Sequence, residues 1–598
     1  MRRAISGWTA SGLLMSARQL GWLLAFSICA LLPAWSADQG PNFDHDVAPI
    51  LFKHCADCHR AGGIGASLPL VTYDSVRAHA SAIKEEVASR KMPPWSADPA
   101  HSLKFRNDPT LSQQEIDTLV HWIDAGMQKG NDADLPAVPA FSDDWAHPKG
   151  TVPDLVIPLP DFHLPASGEI PYVKYLAKVP FSDDKWIAAL QVLPGNRAVV
   201  HHMAITEVAL DKGVTPADLD RLARVAEQLG LPSGSVGLQA AVHDPVNASA
   251  YDMLGVYTPG TTIETYDDGA AKLLRGGANM YLNFNIHYQT TGRPENDKPS
   301  IGFWFRASPP RHQLFRVPAS GQTLVANGRE LLTDTPGPKA EGTDVAIPPI
   351  PANTENYELI GITGYTEPVT IYQFQPHAHL RGKDFQYVVV LPDGREESVL
   401  SVPDYNFHWQ LAYELETPLH LPAGSKLVVV AHYDNSTKNQ RLLHAHHGGG
   451  EAAPYASPDR EVHFREANQS WDEMFTPFIQ YSIDGEDPAA PVRKENETPG
   501  TLEVAEVVGC LAGAPGNWTL TKSSAPERSA TQSTTSVELK EAATRALGDR
   551  SYVLLGADFF GPGSDKEKKL AVKGVLIDST KPARINVTSL ETVNSTCH

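Results

Sequence analysis

Cysteine is scarce in this 598-residue chain and is absent from its long middle section, between residues 59 and 509. Of the five cysteines, Cys29 lies in an N-terminal apolar segment, Cys55 and Cys58 are close neighbours, and Cys510 and Cys597 lie far toward the C-terminus. A metal ion bound by the middle section must therefore be held by histidine, methionine or carboxylate groups. In an oxidising compartment the C-terminal pair could form a disulfide, or it could remain two buried thiols.

The chain also lacks an excess of positive charge and has no long apolar run beyond its N-terminus. Its formal net charge of −20 argues against a nucleic-acid partner, because neutralising phosphates needs a basic surface. Residues 1–37 combine early arginines, an apolar run over residues 22–32 and the small-residue end Ala34-Trp35-Ser36-Ala37, as in an export signal. We expect an exported protein, periplasmic or extracellular, with no membrane span after signal cleavage. An uncleaved signal would instead act as an anchor.

Residues 55–59 read Cys-Ala-Asp-Cys-His, the pattern of covalent haem attachment. In that pattern the thiols of Cys55 and Cys58 bond the haem vinyl groups and His59 binds the iron. Met92 precedes two prolines that stiffen its loop, and we predict that it is the sixth ligand; Met127 is the alternative. A disulfide or a zinc half-site is the other interpretation of the two cysteines, but the chain has no second C-x-x-C.

A helix is predicted to close this segment, because Ser112 and Glu115 form a capping box ahead of an amphipathic run. Residues 40–130 resemble the cytochrome c family over the whole small domain, which implies an all-α fold that carries one haem c and passes electrons. Residues 131–153, rich in Asp, Pro and Ala, predict a linker.

Residues 154–495 show short alternating stretches separated by Pro and Gly, which predict antiparallel sandwiches. We divide them into residues 154–345 and 346–495. Residues 500–598 alternate again and predict a small β-barrel-like accessory domain without a catalytic cluster. The chain as a whole is thus expected to be mainly β.

Histidines in this β-rich section follow patterns suited to metal binding. Residues 280–289 alternate strictly, which places His287 on the polar face of a strand. His377 and His379 are two apart, so on a strand both imidazoles leave the same face. His201 and His202 are adjacent, and they can share one ion only through a bulge, a strand end or the use of different ring nitrogens.

The ordered motifs His201-His202-Met203, Asn285-Ile286-His287-Tyr288, His377-Ala378-His379 and Trp471-Asp472-Glu473-Met474 resemble the copper type II ascorbate-dependent monooxygenases. This is the family of peptidylglycine and dopamine β-hydroxylating enzymes, and the resemblance covers roughly residues 155–490. It implies two packed, jelly-roll-like β-sandwich domains, each presenting one copper to a solvent-filled cleft.

The resemblance also implies a role for each ligand. His201, His202 and His287 would hold an electron-supplying copper, and His377, His379 and Met474 an oxygen-binding copper. Three imidazoles suit an ion that cycles between Cu(I) and Cu(II), whereas a thioether favours Cu(I). A lone methionine would otherwise be interpreted as part of a hydrophobic core.

The chain departs from the peptide-amidating members at three positions. Those members carry an Arg before the H-x-H pair and an Asn and a Tyr after the Met ligand, where this chain has Gln375, Thr476 and Phe478. No cation remains there to pair with a peptide carboxylate. Of the other histidines, we interpret those of the run 444–447 as loop residues and His432 as structural.

These features predict a copper monooxygenase that hydroxylates a C–H bond of a small substrate with O2. Its electron donor would be ascorbate, another external reductant or a redox protein, relayed through the fused haem. A non-catalytic copper-binding or electron-transfer protein is the alternative. A surface- or carbohydrate-binding protein dominated by the barrel is a third hypothesis.

Overall fold

The computed structural model describes residues 40–210, 253–443, 457–464, 470–488 and 501–597, with short gaps at 142–143, 169, 171, 262, 267–268, 320, 338, 340–342 and 344. It also describes residues 215, 217–218, 221 and 242–243. The predicted export signal and His444, His446 and His447 lie outside these residues. The described part is mainly β, with several sheets and a small helical region at its N-terminal end, as predicted. None of its helices is long and apolar enough to cross a membrane.

The N-terminal helical region packs around the fully buried side chains of Leu119 and Trp122. The predicted capping box is confirmed, because the Glu115 amide donates to Ser112 Oγ (3.2 Å) and the Ser112 amide donates to Glu115 Oε2 (2.8 Å). The helices are a π-helix over Phe43–Val47 followed by α1 (Ala48–His54), α2 (Tyr73–Ala78), α3 (Ala80–Ala88) and α4 (Gln113–Asp124).

A first sandwich follows, in which two sheets share one apolar core. The first sheet contains, in spatial order, β1 (Leu155–Pro158), β12 (Ser300–Arg306), β4 (Lys185–Leu193), β9 (Ala270–Leu274) and β13 (His312–Gln313), with β8 (Glu264–Thr265) beside β4. The second contains β3 (Val173–Lys178), β10 (Met280–Tyr288), β5 (Val200–Leu210) and β6 (Val242–His243), with β7 (Met253–Tyr257) beside β5. A separate pair joins β2 (Phe162–Leu164) and β11 (Glu295–Asp297).

The second sandwich also has two sheets around one core. Its smaller sheet contains β14 (Phe315–Pro318), β23 (Phe478–Ile483), β18 (Val369–Gln375) and β21 (Tyr413–Leu421). Its larger sheet contains β16 (Arg329–Leu331), β15 (Thr323–Ala326), β17 (Thr354–Gly364), β22 (Lys426–Asn435), β19 (Gly382–Val390) and β20 (Glu396–Val402), and the short helix α5 (Gln440–Leu443) follows β22.

The change from one sandwich to the other lies near Leu314, not between residues 345 and 346 where the sequence placed it. The physical reason is strand pairing: β14 pairs with β23, and β15 pairs with β17. Residues 315–331 therefore belong to the second sandwich.

The C-terminal sheet closes on itself. Its order is β25 (Asn517–Ser523), β27 (Arg550–Leu555), β29 (Arg584–Asn594), β28 (Lys569–Ile577) and β24 (Val504–Ala514), with β24 pairing back to β25 and with β26 (Glu527–Arg528) at its side. The helix α6 (Ser536–Thr544) and 3-10 turns at Ala557–Phe560 and Pro562–Asp565 complete it. A disulfide joins Cys510 to Cys597. The barrel shares a core with the outer face of the larger sheet, so that sheet is covered on both faces.

Two segments attach the helical region to the sandwiches. Residues 98–106 run along the second sandwich, where the amides of Asp98, Leu103 and Arg106 donate to the carbonyls of residues 401, 399 and 414 at 2.8–3.0 Å. The predicted linker also follows the protein surface: the Trp145 ring meets Trp304 with ring centroids 6.0 Å apart. The described residues 131–141 and 144–153 thus form no helix or strand, yet the second of these stretches is fixed to the first sandwich.

Buried charges hold the two sandwiches together in the absence of cysteine. Arg316 of β14 donates two bonds of 3.1 Å to Glu264 of β8, which also accepts from Lys272 at 3.2 Å. Burial opposes ionisation of Glu264, but Arg316 and Lys272 together keep its pKa below the usual value. Removing one member of such a buried charged cluster strongly destabilises the folded protein, because it leaves a buried charge without its partner.

Candidate metal centre

Three histidines converge where β5 and β10 lie side by side. In their register His287 faces His202 and Tyr288 faces Val200, so His201 is an extra residue in a bulge. The bulge turns His201 to the side of its neighbour, one of the three arrangements that the sequence required. The Nδ1 atoms of His201 and His202 are 3.0 Å apart, and one nitrogen from each of the three rings lies within 4.8 Å of the others.

The polar face of β10 is confirmed by burial and packing. Leu282, Phe284, Ile286 and Tyr288 are fully buried in the first sandwich core. His287, on the opposite face, meets the ring of Tyr172 with centroids 4.6 Å apart. Three buried imidazoles on one side of a sheet form a group that can hold a metal ion.

His377 and His379 lie just beyond β18, not on the strand itself. Pro376 has no N–H for the ladder, which explains why the strand ends at Gln375. The two rings still lie together, with centroids 5.4 Å apart. His379 Nδ1 is 3.0 Å from the carbonyl of Asp472, a partner that selects the tautomer presenting Nε2 to a metal.

His377 has the same arrangement with a side-chain acceptor. Its Nδ1 is 2.7 Å from Gln410 Oε1, so that nitrogen carries the proton. Burial lowers the pKa of His377 to about 4, so the imidazole is neutral at ordinary pH. A neutral imidazole with a fixed tautomer is a competent metal ligand.

Glu473 organises the second group of ligands, and sequence reasoning did not single it out. This fully buried carboxylate accepts hydrogen bonds from the backbone amides of His379 (2.9 Å), Arg381 (2.6 Å) and Met474 (3.2 Å). Burial raises the pKa of Glu473 to about 7, while the charge of Arg381 opposes that rise. The only sequence signal was its position next to Met474.

The loop of residues 403–412 inserts between the two ligand groups. Gln410 Nε2 is 3.2 Å from His202 Nδ1, and Oε1 of the same amide is bonded to His377. The rings of His202 and His377 are 6.4 Å apart between centroids. The family resemblance implied that each sandwich presents one copper to a solvent-filled cleft. In the structure, one glutamine amide spans the space between the two ligand groups.

Aromatic rings enclose the same space. Phe407 lies 5.4 Å from His201 and 5.5 Å from His379, and Tyr172 lies 5.5 Å from His202 and 6.1 Å from His379 (centroid distances). Neither ring carried a pattern in the sequence, because each comes from a loop.

A cleft opens beside the ligands. Met474, which is 8% exposed, lines it together with His202 and His377. The structure therefore brings the predicted residues of both groups to one place.

In the predicted haem motif, a backbone carbonyl orients the histidine ring and both cysteines are free thiols. His59 Nδ1 is 3.0 Å from the Leu68 carbonyl, which orients the ring and leaves Nε2 for an iron. Cys55 and Cys58 are free thiols. A Cβ on Gly65 would stand 2.6 Å from His59 Nδ1, so a side chain there would displace the ring.

The motif also lies close to the first sandwich. Burial raises the pKa of Cys58 to about 11, and the nearby charge of Arg197 opposes that rise. Arg197 also donates to the hydroxyl of Tyr257, which pairs with Met203 beside the three histidines. Met92 is half-buried after α3, whereas Met127 packs against the helical core, and the choice between them as sixth ligand stays a prediction.

Comparison with known proteins adds little. No family model and no curated protein matches the chain. Among solved structures, 22 chains match, and one described as PNGF-II covers 55% of this chain and 65% of that chain at 8% identity and a TM-score of 0.21. So weak a likeness carries no conclusion about fold or function.

Proposed function

We propose that the chain is a copper-dependent monooxygenase that hydroxylates a C–H bond of a small molecule with O2. The observation that carries the proposal is the meeting of two donor groups of different softness at one cleft: three imidazoles on one side, and two imidazoles near a thioether on the other. In this proposal the two sandwiches are the copper domains, the helical region is a cytochrome c domain and the barrel is an accessory domain.

The donor spacing fits a metal ion. Two nitrogens about 2.0 Å from one ion lie about 3.3 Å apart at a tetrahedral angle, close to the 3.0 Å between Nδ1 of His201 and Nδ1 of His202. An ion bound there would take the lone pair of His202 Nδ1 that faces Gln410 Nε2. Copper would supply one-electron storage at the three-histidine group and oxygen activation at the group with Met474. The protein holds the rings in place through Glu473 and Gln410, while Tyr172 and Phe407 restrict water.

A haem c on Cys55, Cys58 and His59 would relay electrons to this centre, from ascorbate or another donor. Residues 98–106 are hydrogen-bonded to the second sandwich, and Arg197, four residues before His201 in the chain, is close enough to Cys58 for its charge to act on that thiol. Tethering of this kind gives an effective donor concentration of roughly millimolar. The expected location is outside the cytoplasm, which is consistent with the disulfide of the barrel.

Metal and haem content test the proposal. Elemental analysis and a haem spectrum of the exported protein should show two coppers and one haem. Replacing Met474 with alanine should weaken the copper held by His377 and His379 while sparing the other copper and the haem. Haem without copper would contradict the monooxygenase and favour an electron-transfer protein.

Oxygen uptake separates the two functions when both metals are present. A monooxygenase consumes O2 in proportion to a hydroxylated product, whereas an electron-transfer protein only cycles its metals. Stopped-flow spectra test the relay: reduced haem should be oxidised by the copper centre, and a haem that exchanges no electrons would refute this part.

A further inference from the structure

The cleft beside Met474 is lined by apolar and neutral polar groups. The apolar part of the lining is Tyr172, Ala204, Met253, Val256 and Phe478. The neutral amides are those of Asn285, Gln375 and Gln410. Among the described residues that line the cleft there is no Asp, Glu, Lys or Arg.

Gln375 points to the kind of ligand that fits. Its side chain is buried, and its Nε2 lies 3.4 Å from the backbone carbonyl of Gln410, which settles the orientation of the amide. Its Oε1 has no hydrogen-bond partner among the described residues. Oδ1 of Asn285 is also buried without a partner there. Buried acceptors of this kind are unfavourable unless a donor reaches them, so a ligand with an O–H or N–H group would be stabilised.

The lining disfavours ions of either sign. Among the described lining residues, a carboxylate or phosphate would find no Lys or Arg side chain, and an ammonium group would find no carboxylate. Burying an unpaired charge costs far more than burying a hydrogen-bonded neutral group. Tyr172 and Phe478 offer flat apolar surface for a ring or a chain.

We propose that the substrate is an uncharged molecule with an apolar body and one hydroxyl or N–H donor, and that Gln375 Oε1 accepts from that donor. This inference rests on the proposed function in placing the substrate at this cleft. Gln375 is then a specificity-determining residue.

Binding of four matched probes tests the proposal: toluene, benzyl alcohol, benzylamine in its ammonium form, and benzoate. Calorimetry with the full-length protein, reduced and without oxygen, avoids turnover and avoids carboxylate binding to Cu(II). Benzyl alcohol should bind roughly three- to tenfold more tightly than toluene, as expected for one net hydrogen bond. Both ions should bind more weakly than toluene.

Two variants of Gln375 sharpen the test. Gln375→Met keeps the volume and removes the acceptor, so the preference for benzyl alcohol should fall to about onefold while toluene affinity is retained. Gln375→Arg should create binding of benzoate. Gln386→Met, on an exposed position of β19, is the matched control and should change neither value.

Equal binding of an ion and benzyl alcohol by the wild type would overturn the proposal, as would an unchanged preference in Gln375→Met. The proposed function fails by a different result. If the probe preference holds but the protein consumes no oxygen with any substrate, the specificity of the cleft stands and the monooxygenase does not.

Discussion

Replacing Glu473 with glutamine is expected to loosen the ligand group of His377, His379 and Met474 and to spare the three-histidine group. Glu473 is fully buried and accepts three backbone amides, two of them through Oε2. A glutamine can keep its single oxygen at the Oε2 position. Its NH2 group then takes the Oε1 position and faces the backbone amide of Arg381, so two hydrogen-bond donors oppose each other.

The expected loss of stability has two sources, the two opposed donors at the Arg381 amide and the buried charge of the Arg381 guanidinium. A buried donor that loses its acceptor costs about 1–3 kcal/mol. The Arg381 guanidinium, fully buried, also loses a neighbouring carboxylate, although Glu473 is only partly ionised near its pKa of about 7. We expect the second sandwich to lose about 2–4 kcal/mol of stability. Metal affinity at this group should fall about 10- to 100-fold, as for partners that orient ligands elsewhere.

Competition with a Cu(I) chelator measures the two affinities separately, and thermal unfolding confirms that the variant is folded. The matched control is Glu397→Gln, which removes a carboxylate paired with Arg395 on the surface of the same sandwich. A folded Glu473→Gln protein that binds both ions within about twofold of the wild type would refute the role of Glu473 as the organiser.

Two further predictions concern the barrel. Replacing Cys510 and Cys597 with serine opens a loop with a sequence separation of 87 and should lower the stability of the barrel by about 2–4 kcal/mol. Unchanged thermal unfolding, with and without reductant, would contradict this. Glu330, buried against the barrel, accepts from Ser589 Oγ (2.7 Å) and the Leu590 amide (2.9 Å), and burial raises its pKa to about 8. Between the ordinary pKa of a glutamate and about pH 8, Glu330 therefore stays protonated in the folded protein, whereas in the unfolded chain it has released its proton. Stability should fall by up to about 1.4 kcal/mol per pH unit from pH 5 to 8, and Glu330→Gln should flatten this fall in denaturant titrations at several pH values; parallel wild-type and variant curves would disprove it.

Local patterns predicted the elements of the candidate site well. The alternation around His287 gave the correct face of β10, because one side of that strand is buried in a core. The adjacency of His201 and His202 required an irregularity, and a bulge supplies it. The capping box of α4 needs only residues three apart, so it too was readable.

Features that depend on distant contacts were not readable. Gln410 and Phe407 come from a loop that reaches the histidines only through tertiary packing, and nothing in the local sequence marks them. The boundary near Leu314 depends on which strands pair, and short strands such as β14 fit either sandwich by pattern alone. Pro376 ends the strand at Gln375. The H-x-H spacing was interpreted as a strand pattern, so this effect of Pro376 was not predicted.

The amide of Gln410 has a consequence for motion. It belongs to the second sandwich and contacts a histidine of the first, while the cleft opens between the same two bodies. A rotation that widens the cleft must also part His202 from His377. Entry of a bulky molecule into the cleft therefore increases the distance between the two ligand groups. Both groups are affected at once when the cleft is filled.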